Sequence, residues 1–158
     1  MQKHLEKALN RCYFYLKQRP RTEREIYFYL YKKAKKYKIT QKNINDIILE
    51  LKEKSYLNDK KFIEWFVSKR LSTKPKAVFI IKNELKRLGI KDNLINDYFE
   101  EIEIDEYDLA IKLLTKINRR FLNFEADKKK EKQYSYLLSR GFKYDDIKKA
   151  VEEFNKND

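Results

Sequence analysis

Residues Leu85–Glu101 read LKRLGIKDNLINDYFEE, and a related stretch, Leu137–Glu153, reads LLSRGFKYDDIKKAVEE. Gly89 and Gly141 are the only glycines of the chain, and they occupy the same place in the two stretches, 52 residues apart. Each glycine follows an apolar helical pattern and precedes a bulky apolar residue, as expected where a helix ends in a left-handed residue. Both stretches therefore predict a helix, a glycine stop, a short turn and a second helix.

A third copy of this unit lies upstream and has no glycine. Residues 44–48 match residues 95–99, which lie 51 positions further on, and Pro20 and Pro75 lie 55 positions apart. Each proline stands where a helix is expected to begin, a place that proline tolerates. Internal repetition with only helical patterns inside implies stacked helical units. We therefore predict an all-α fold in which three tandem three-helix repeats stack into an elongated, curved array of the right-handed type. The predicted repeats are residues 1–55, 56–103 and 104–158.

The composition excludes several classes of protein. The chain has 158 residues, of which 42% are hydrophobic and 40% charged, with two glycines and two prolines, a balance that favours long helices. No stretch approaches the roughly 18–20 consecutive apolar residues of a membrane span, and the N-terminus lacks a signal core, so we expect a cytoplasmic protein without a membrane partner. The single cysteine, Cys12, rules out an internal disulfide. No metal-ligand spacing, phosphate-binding loop or nucleophile motif is present, so we expect neither an enzyme nor a cofactor.

The formal net charge of +13 admits two explanations. It is typical of a partner that is a polyanion, either nucleic acid itself or a protein bound to nucleic acid. Alternatively, a codon bias toward A and T raises the lysine content everywhere, whatever the function. Both explanations stay open at the level of sequence.

Local signals predict several helix starts. Thr22 and Glu25 have the spacing of a capping box, in which the two side chains satisfy each other's free backbone N–H groups. Asp105 can begin a later helix in the same way. Lys128–Lys132 opens the predicted penultimate helix, where positive charge opposes the helix dipole, so this helix start favours an anion.

Three blocks that span nearly the whole chain carry motifs of one protein family. They are RPRTEREI at residues 19–26; YLNDKKF at 56–62, followed by Phe66, Val67 and Arg70 and by ELKRLGI at 84–90; and LSRGF at 138–142, followed by Asp145 and Ile147. The first block is similar to an R-x-x-S-x-x-E-L opening of a helix, and the third to an L-x-x-R-G-F-x-x-[DE]-x-I ending. On these motifs the chain resembles the RecX family of bacterial regulatory proteins. It departs from the family's pattern at Ile63, where a small residue is common, and near Pro75, where a glycine is common.

The resemblance implies a function in DNA repair, homologous recombination and the SOS response. Members of the family are expected to bind RecA–DNA filaments in their helical groove and to modulate RecA. In most cases they are expected to lower its recombinase, ATPase and co-protease activities, and in some bacteria the effect is more permissive. Direct binding of single- and double-stranded DNA is also attributed to them. The alternative is a helical-repeat protein that acts directly on DNA or RNA, without RecA.

The candidate contact residues for RecA or DNA are aromatic or basic. They are Trp65, Lys69, Arg70, Lys74, Lys76, Arg119, Arg120, Lys128, Lys129, Lys130 and Lys132. For Arg70, which falls within an apolar helical arc, an ion pair with a helix carboxylate such as Glu84 is the favoured alternative. For Trp65, packing against a neighbouring repeat and contact with a partner are equally weighted.

Overall fold

The computed structural model describes residues 2–73 and 75–156, and within these ranges it contains nine α-helices, one 3-10 turn and no strand. The all-α prediction is therefore confirmed. The helices are α1 (Gln2–Gln18), α2 (Glu23–Tyr37), α3 (Gln41–Glu53), α4 (Asp59–Thr73), α5 (Val78–Arg87), α6 (Asp92–Glu101), α7 (Glu106–Ile117), α8 (Ala126–Ser139) and α9 (Tyr144–Lys156). The 3-10 turn, Asn118–Arg120, follows α7.

By its internal contacts the chain divides into two compact units. Unit 1 comprises the residues up to Phe66 together with Leu85–Tyr98, and unit 2 comprises Val67–Glu84 together with the residues from Phe99 onward. Along the chain the helices follow one another in three groups of three, α1–α3, α4–α6 and α7–α9, which we call repeats 1, 2 and 3. The residue boundaries predicted for the three repeats stay a prediction.

The core of unit 1 forms where the apolar stripes of its first three helices meet. Fully buried side chains come from α1 (Ala8 and Cys12), from α2 (Ile26 and Leu30) and from α3 (Leu51). Burial raises the pKa of the Cys12 thiol to about 12, so the thiol is protonated and inert at neutral pH. Cys12 is thus a small core residue, as its place in the apolar stripe predicts.

The core of unit 2 lies between α7 and α9, with α8 closing one side. Leu113 and Leu114 of α7 meet Ile147 and Val151 of α9, and Leu137 of α8 completes the cluster. The buried residues Leu109, Leu113 and Ile117 of α7 and Ile147, Ala150 and Val151 of α9 recur at three- and four-residue spacing or lie side by side, so each of these two helices buries one continuous stripe.

The helices α2, α5 and α8 end in the same backbone turn. Lys38, Gly89 and Gly141 all have left-handed φ angles, of 51°, 86° and 85°. The following residue is buried in each case, and its N–H donates to a carbonyl five residues back. These bonds run from Ile39 to Ala34 (3.0 Å), from Ile90 to Leu85 (3.1 Å) and from Phe142 to Leu137 (3.3 Å). This is the Schellman arrangement, so the predicted glycine stops are confirmed, and the copy without glycine uses Lys38.

At two of these turns a backbone carbonyl also accepts a hydrogen bond from the start of an earlier helix, once from a side-chain hydroxyl and once from a backbone N–H. The Thr22 hydroxyl donates to the Leu88 carbonyl at 2.7 Å, within unit 1. The Ala77 N–H donates to the Arg140 carbonyl at 3.0 Å, within unit 2. Leu88 and Arg140 both directly precede a glycine, and Thr22 and Ala77 both lie two residues after a proline. The same junction is therefore built twice.

The junctions explain why glycine occupies two of the three turns. A Cβ added to Gly89 would lie 2.5 Å from the Arg24 Cβ, and one added to Gly141 would overlap the Ile80 side chain. Lys38 has the same backbone conformation, but its side chain is exposed. Glycine is thus required where a left-handed residue also meets another helix, and lysine is tolerated where it does not.

The predicted helix starts agree with the structure except at α8. The Thr22 hydroxyl accepts from the Glu25 N–H at 3.1 Å, and the Glu25 carboxylate accepts from the Thr22 N–H at 2.9 Å, which completes the capping box. Asp105 accepts from the Asp108 N–H at 3.1 Å. By contrast, α8 begins at Ala126, so Lys128–Lys132 lies in its first two turns rather than at its opening.

Candidate polyanion-binding surfaces

Two of the predicted contact residues meet on one carboxylate in unit 2. Arg70 Nε donates to Glu84 Oε2 at 2.8 Å, and Lys76 Nζ donates to Glu84 Oε1 at 2.6 Å. Burial alone would raise the pKa of Glu84, but the hydrogen bonds and positive charges of Lys76 and Arg70 outweigh it, so this pKa is lowered. The predicted Arg70–Glu84 ion pair is confirmed. Arg70 thus connects the last part of α4 to α5, and Lys76 connects the segment before α5 to the same helix.

The remaining cations of this part of the sequence have different surroundings. Lys69 is exposed near the end of α4, and its carbonyl accepts from the hydroxyls of Ser72 and Thr73. Lys74 lies outside the described residues. Lys116, which the sequence did not single out, donates from Nζ to the Thr73 carbonyl at 3.2 Å.

The second predicted group of cations surrounds the segment between α7 and α8. Arg119 and Arg120 are exposed in the 3-10 turn. Two large apolar side chains follow them, Leu122, which is 60% exposed, and Phe124, which is 42% exposed. The Lys132 Nζ lies 5.7 Å from the centroid of the Phe124 ring, which is within reach of a cation–π contact. This segment is therefore both basic and apolar at its surface.

The lysines at the start of α8 lie close to acidic and amide side chains. Lys128 Nζ is 3.5 Å from Glu131 Oε2. Lys129 and Lys130 line a hollow of about 430 Å³ whose other lining residues come from the helix start and from α9: Ala126, Glu152, Asn155 and Lys156. Glu125 at the N-cap makes no side-chain hydrogen bond to the first turn. The helix start thus carries both acidic residues, Glu125 and Asp127, and lysines, and it has no side-chain cap.

Trp65 belongs to unit 1. Its ring is half-buried and packs at 5.5 Å from the Phe62 ring, and it borders an open hollow of about 810 Å³. We call this hollow the basic–aromatic cleft. Its lining residues come from the end of α1, from the loop before α2 and from the α3–α4 turn with the start of α4; they are Tyr13, Leu16, Lys17, Gln18, Arg19, Pro20, Arg21, Ser55, Tyr56, Asn58, Lys61, Phe62 and Trp65.

The basic–aromatic cleft has an excess of positive charge. Its lining includes four cations and no carboxylate. Glu25, which is not part of the lining, lies 2.5 Å from Arg19 and 3.6 Å from Arg21. The Arg21 guanidinium also lies 3.8 Å above the centroid of the Tyr15 ring. One carboxylate therefore orients two guanidinium groups, and Lys17 and Lys61 have no ion-pair partner among residues 2–73 and 75–156.

The sequence did not reveal this cleft. Arg19 and Arg21 are read from the sequence as the break between two helices and as part of a family motif. Lys17, Lys61 and Tyr56 have no local pattern that distinguishes them from other surface residues. Only the folding of unit 1 brings them to one surface.

Other kinds of site were also sought. In the part of the chain that the structure describes, no group of histidine, cysteine and acidic residues has the geometry to hold a metal ion. None of the described helices is long and apolar enough to span a membrane.

Comparison with known proteins gives a consistent result. Residues 103–151 match the family described as RecX, third three-helix domain. The regulatory protein RecX of Bacillus pumilus is 31% identical over 153 residues, which are 94% of this chain and 56% of that protein. The regulatory protein RecX of Streptococcus agalactiae serotype V is 29% identical over 140 residues, covering 88% of this chain and 52% of that protein. The chain thus spans about half the length of the curated relatives it matches.

Solved structures show the same fold. The crystal structure of RecX from Lactobacillus salivarius matches with a TM-score of 0.73 and 26% identity, covering 98% of this chain and 99% of that chain. A second crystal structure, of a regulatory protein RecX, matches with a TM-score of 0.72 and 24% identity over 95% of this chain and 73% of that chain.

Proposed function

The chain belongs to the RecX family of regulatory proteins, and on that premise we propose that it binds RecA–DNA filaments in their helical groove and lowers RecA's activity. The observation that carries the proposal is the match to regulatory proteins RecX over most of this chain, 94% of it for the relative from Bacillus pumilus. The affected activities are recombinase, ATPase and co-protease activity, and the proposed place of action is the cytoplasm. Because RecX proteins are named as regulators, the proposal assigns no catalytic residue.

The electrostatics of the chain support a partner that carries DNA. The net charge of +13 attracts a filament whose DNA contributes one phosphate per nucleotide. Among the predicted contact residues, Arg119 and Arg120 are exposed and adjoin the exposed Leu122 and Phe124. Arginine and aromatic side chains, phenylalanine among them, are enriched in protein interfaces. We therefore propose this segment as part of the RecA-contacting surface, together with the lysines Lys128, Lys129, Lys130 and Lys132.

The cations at the end of α4 are weaker candidates for the filament contact. Arg70 and Lys76 are held by Glu84, so recruiting either one to a partner would leave a half-buried carboxylate with one cation fewer. Lys69 is exposed and remains a proposed contact. Trp65, in unit 1, remains a proposed contact as well.

A direct experiment tests the proposal. RecA filaments are assembled on single-stranded DNA with ATP at physiological salt, the protein is added, and both filament binding and the rate of ATP hydrolysis are measured. We expect the protein to co-sediment with the filaments and to lower ATP hydrolysis at substoichiometric ratios to RecA. If RecA hydrolyses ATP at an unchanged rate while the filaments are saturated with the protein, the inhibitory role is wrong. If no protein co-sediments, filament binding is wrong too.

A further inference from the structure

We propose that the basic–aromatic cleft of unit 1 docks an acidic segment of a partner protein, in which carboxylates flank one aromatic or aliphatic side chain. The carboxylates pair with Lys17 and Lys61, and the apolar side chain packs against Tyr56 and Trp65. The partner is a protein other than the RecA–DNA filament, so this inference goes beyond the filament contacts proposed for residues 119–132.

The charge of the cleft selects an anionic partner. Lys17 lies at the end of α1 and Lys61 at the start of α4, so two different helices contribute these cations to the lining. The other two cations, Arg19 and Arg21, share Glu25, which lies 2.5 Å from the first and 3.6 Å from the second. No carboxylate belongs to the lining itself. The two lysines are therefore the cations whose charge is available to a ligand.

The arrangement of these cations favours separate carboxylates over a phosphate group. A phosphate group is bound most strongly where the planar forks of several guanidinium groups converge on it. Here Glu25 accepts from both terminal nitrogens of Arg19, at 3.4 and 2.5 Å, and the Arg21 guanidinium lies over the Tyr15 ring. The cleft thus offers two ammonium groups on different helices, and each is a point charge that pairs with one carboxylate.

The rings of the cleft form an apolar floor rather than a series of stacking platforms. Phe62 is 2% exposed, and Trp65 is half-buried against it. Tyr13 is half-buried as well and meets Tyr56 edge-on, with ring centroids 4.7 Å apart at an interplanar angle of 67°. Of the aromatic side chains in this lining, Tyr56 alone is exposed, at 55%. Successive bases of a strand need successive free ring faces, whereas this floor matches one apolar side chain.

The polar side chains of the lining suit a peptide backbone. Gln18, Ser55 and Asn58 carry amide and hydroxyl groups into the same cleft. The Asn58 Oδ1 accepts from the Lys61 N–H at 3.1 Å, which fixes this side chain and leaves its amide N–H groups as donors for a peptide carbonyl. An apolar centre with a polar and charged rim is also the usual anatomy of a protein interface.

The size of the cleft limits the length of the docked segment. Its volume of about 810 Å³ lies in the range of roughly 300–1,000 Å³ that ligand sites occupy. The cleft therefore receives a few residues of extended or turn-forming chain rather than the surface of a folded domain.

The cleft is held in shape before any ligand arrives. Glu25 fixes Arg19 and Arg21, and it also accepts from the Thr22 N–H, so one carboxylate ties the loop to the first turn of α2. The Thr22 hydroxyl in turn is bonded to the Leu88 carbonyl. Binding therefore does not have to order this wall, and pre-organisation of this kind reduces the entropic cost of association.

The single tryptophan of the chain makes the test specific to the cleft, because intrinsic tryptophan fluorescence reports on Trp65 alone. The probe is a blocked pentapeptide with two aspartates on each side of one phenylalanine, titrated into the full chain at several salt concentrations. We expect binding to shift the Trp65 emission to shorter wavelength, because the phenylalanine displaces water from the ring, and to weaken as salt increases. The same peptide with asparagine in place of aspartate should not bind.

Changes in the peptide and in the protein test the two parts of the contact. Alanine in place of the peptide's phenylalanine should weaken binding about tenfold or more, through the loss of one buried ring. Lys17→Gln combined with Lys61→Gln should weaken binding about fivefold or more, through the loss of two partly exposed ion pairs. Lys32→Gln combined with Lys36→Gln removes the same charge from exposed positions of α2 outside this lining, and it should change the affinity less than about twofold. Thermal melts verify that all variants fold.

Several outcomes would overturn the proposal. They are an unchanged Trp65 emission at the highest peptide concentration, equal effects of the two lysine pairs, and equal affinity for the alanine peptide. Displacement of the peptide by oligothymidylate would make the cleft a site for polyanions in general. An emission that shifts with protein concentration before any peptide is added would make a second copy of the chain the occupant.

The filament assay of the previous section, performed on the variant with Lys17→Gln and Lys61→Gln, keeps the two proposals distinguishable. We expect this variant to lower ATP hydrolysis by RecA as the wild type does. Loss of peptide binding with retained RecA inhibition supports a separate partner, whereas loss of both would assign the acidic segment to the filament and overturn the inference. If the wild type itself fails in the filament assay, the peptide titration still decides what the cleft binds.

Discussion

At the scale of single residues, Lys38, Gly89 and Gly141 share one backbone conformation and differ in what surrounds them. A residue with a Cβ pays about 1–2 kcal/mol for the left-handed conformation, and at the two glycines the added Cβ would also overlap a neighbouring helix. At Lys38 the first cost is present and the second is absent, since the side chain is exposed. Equivalent positions therefore differ in how they respond to substitution.

We predict that Gly89→Ala and Gly141→Ala each lower the free energy of unfolding by about 2–4 kcal/mol, from backbone strain and overpacking combined. Lys38→Gly should raise it by up to about 1 kcal/mol, because the strain is relieved at the expense of a more flexible unfolded chain. Urea unfolding followed by circular dichroism measures all three variants. If the Gly→Ala variants lose no more stability than Lys38→Gly gains, the two glycines are needed only for their positive φ and not to avoid the neighbouring helix.

Glu84 provides a residue-scale prediction about pH. Its folded-state pKa is lowered from the ordinary 4.5, so its ion pairs with Arg70 and Lys76 stabilise the fold fully above that value and are lost as the pH falls through the lowered pKa. The three side chains are 19–32% exposed, so solvent screens the pairs, and we expect Glu84→Gln to cost about 1–2 kcal/mol at pH 7.

The difference in stability between wild type and Glu84→Gln should therefore shrink when urea unfolding is repeated near pH 3. A difference that is constant or grows in acid would mean that the carboxylate's charge is not what stabilises the wild type. Glu131→Gln, at an exposed pair with Lys128, is the control and should change stability little at either pH.

At the scale of helices, α8 begins without a side-chain cap. Its N-cap, Glu125, has the extended backbone that a cap needs, with φ −60° and ψ 156°, yet its side chain makes no capping hydrogen bond. Glutamate has one methylene too many to reach the first-turn N–H groups easily, whereas aspartate is among the best caps. The lysines that follow in the first two turns oppose the helix dipole as well.

Glu125→Asp is therefore predicted to stabilise the protein by about 0.5–1 kcal/mol without any change in net charge. The expected signs are a melting temperature higher by roughly 1–4 °C and slower hydrogen exchange at the amides of the first turn of α8. Glu125→Gln, which removes the charge without adding a cap, should be neutral or slightly destabilising. If the aspartate variant exchanges as fast as wild type, the missing cap does not limit this helix.

The helices also show which features a sequence can reveal. The capping box at Thr22 and the stops at Gly89 and Gly141 depend on residues within a few positions of one another, and they were predicted correctly. The Arg70–Glu84 pair could be anticipated because an arginine within an apolar arc requires a partner. The start of α8 was misplaced, since no capping residue marks it.

The candidate surfaces were less predictable for a physical reason. The basic–aromatic cleft joins Tyr13, Arg19, Tyr56 and Trp65, whose proximity depends on the fold of unit 1 rather than on any local pattern. Likewise, the sharing of Glu84 between two cations follows from the path of the segment before α5. Periodicity tells which face of a helix is buried, but it does not tell which exposed residues of distant segments meet.

At the scale of the whole molecule, the charge of +13 has either a function or a compositional origin, and equal-charge variants separate the two. Replacing Lys128, Lys130 and Lys132 with glutamine should weaken binding to RecA–DNA filaments far more than replacing the exposed Lys32, Lys35 and Lys36, since only the first group adjoins the proposed RecA-contacting segment. Filament affinity measured at a fixed salt concentration decides between them. If both variants lose filament affinity equally and modestly, the lysines act only through the long-range electrostatic field of the whole protein, as a compositional origin of the charge predicts.

The junction that occurs twice connects a helix end to the start of an earlier helix, so it depends on the order of the repeats along the chain. At both junctions a Cβ on the left-handed residue would overlap the earlier helix, so the ends in repeats 2 and 3 are compatible with a junction and we expect that of repeat 1, with Lys38, not to be. In a rearranged chain in which α1–α3 follow another repeat, the Lys38 side chain would obstruct the junction between the end of α2 and the start of a helix in the preceding repeat. We expect Lys38→Gly to remove this steric obstacle in such a permuted protein and to give the intact chain no new neighbour.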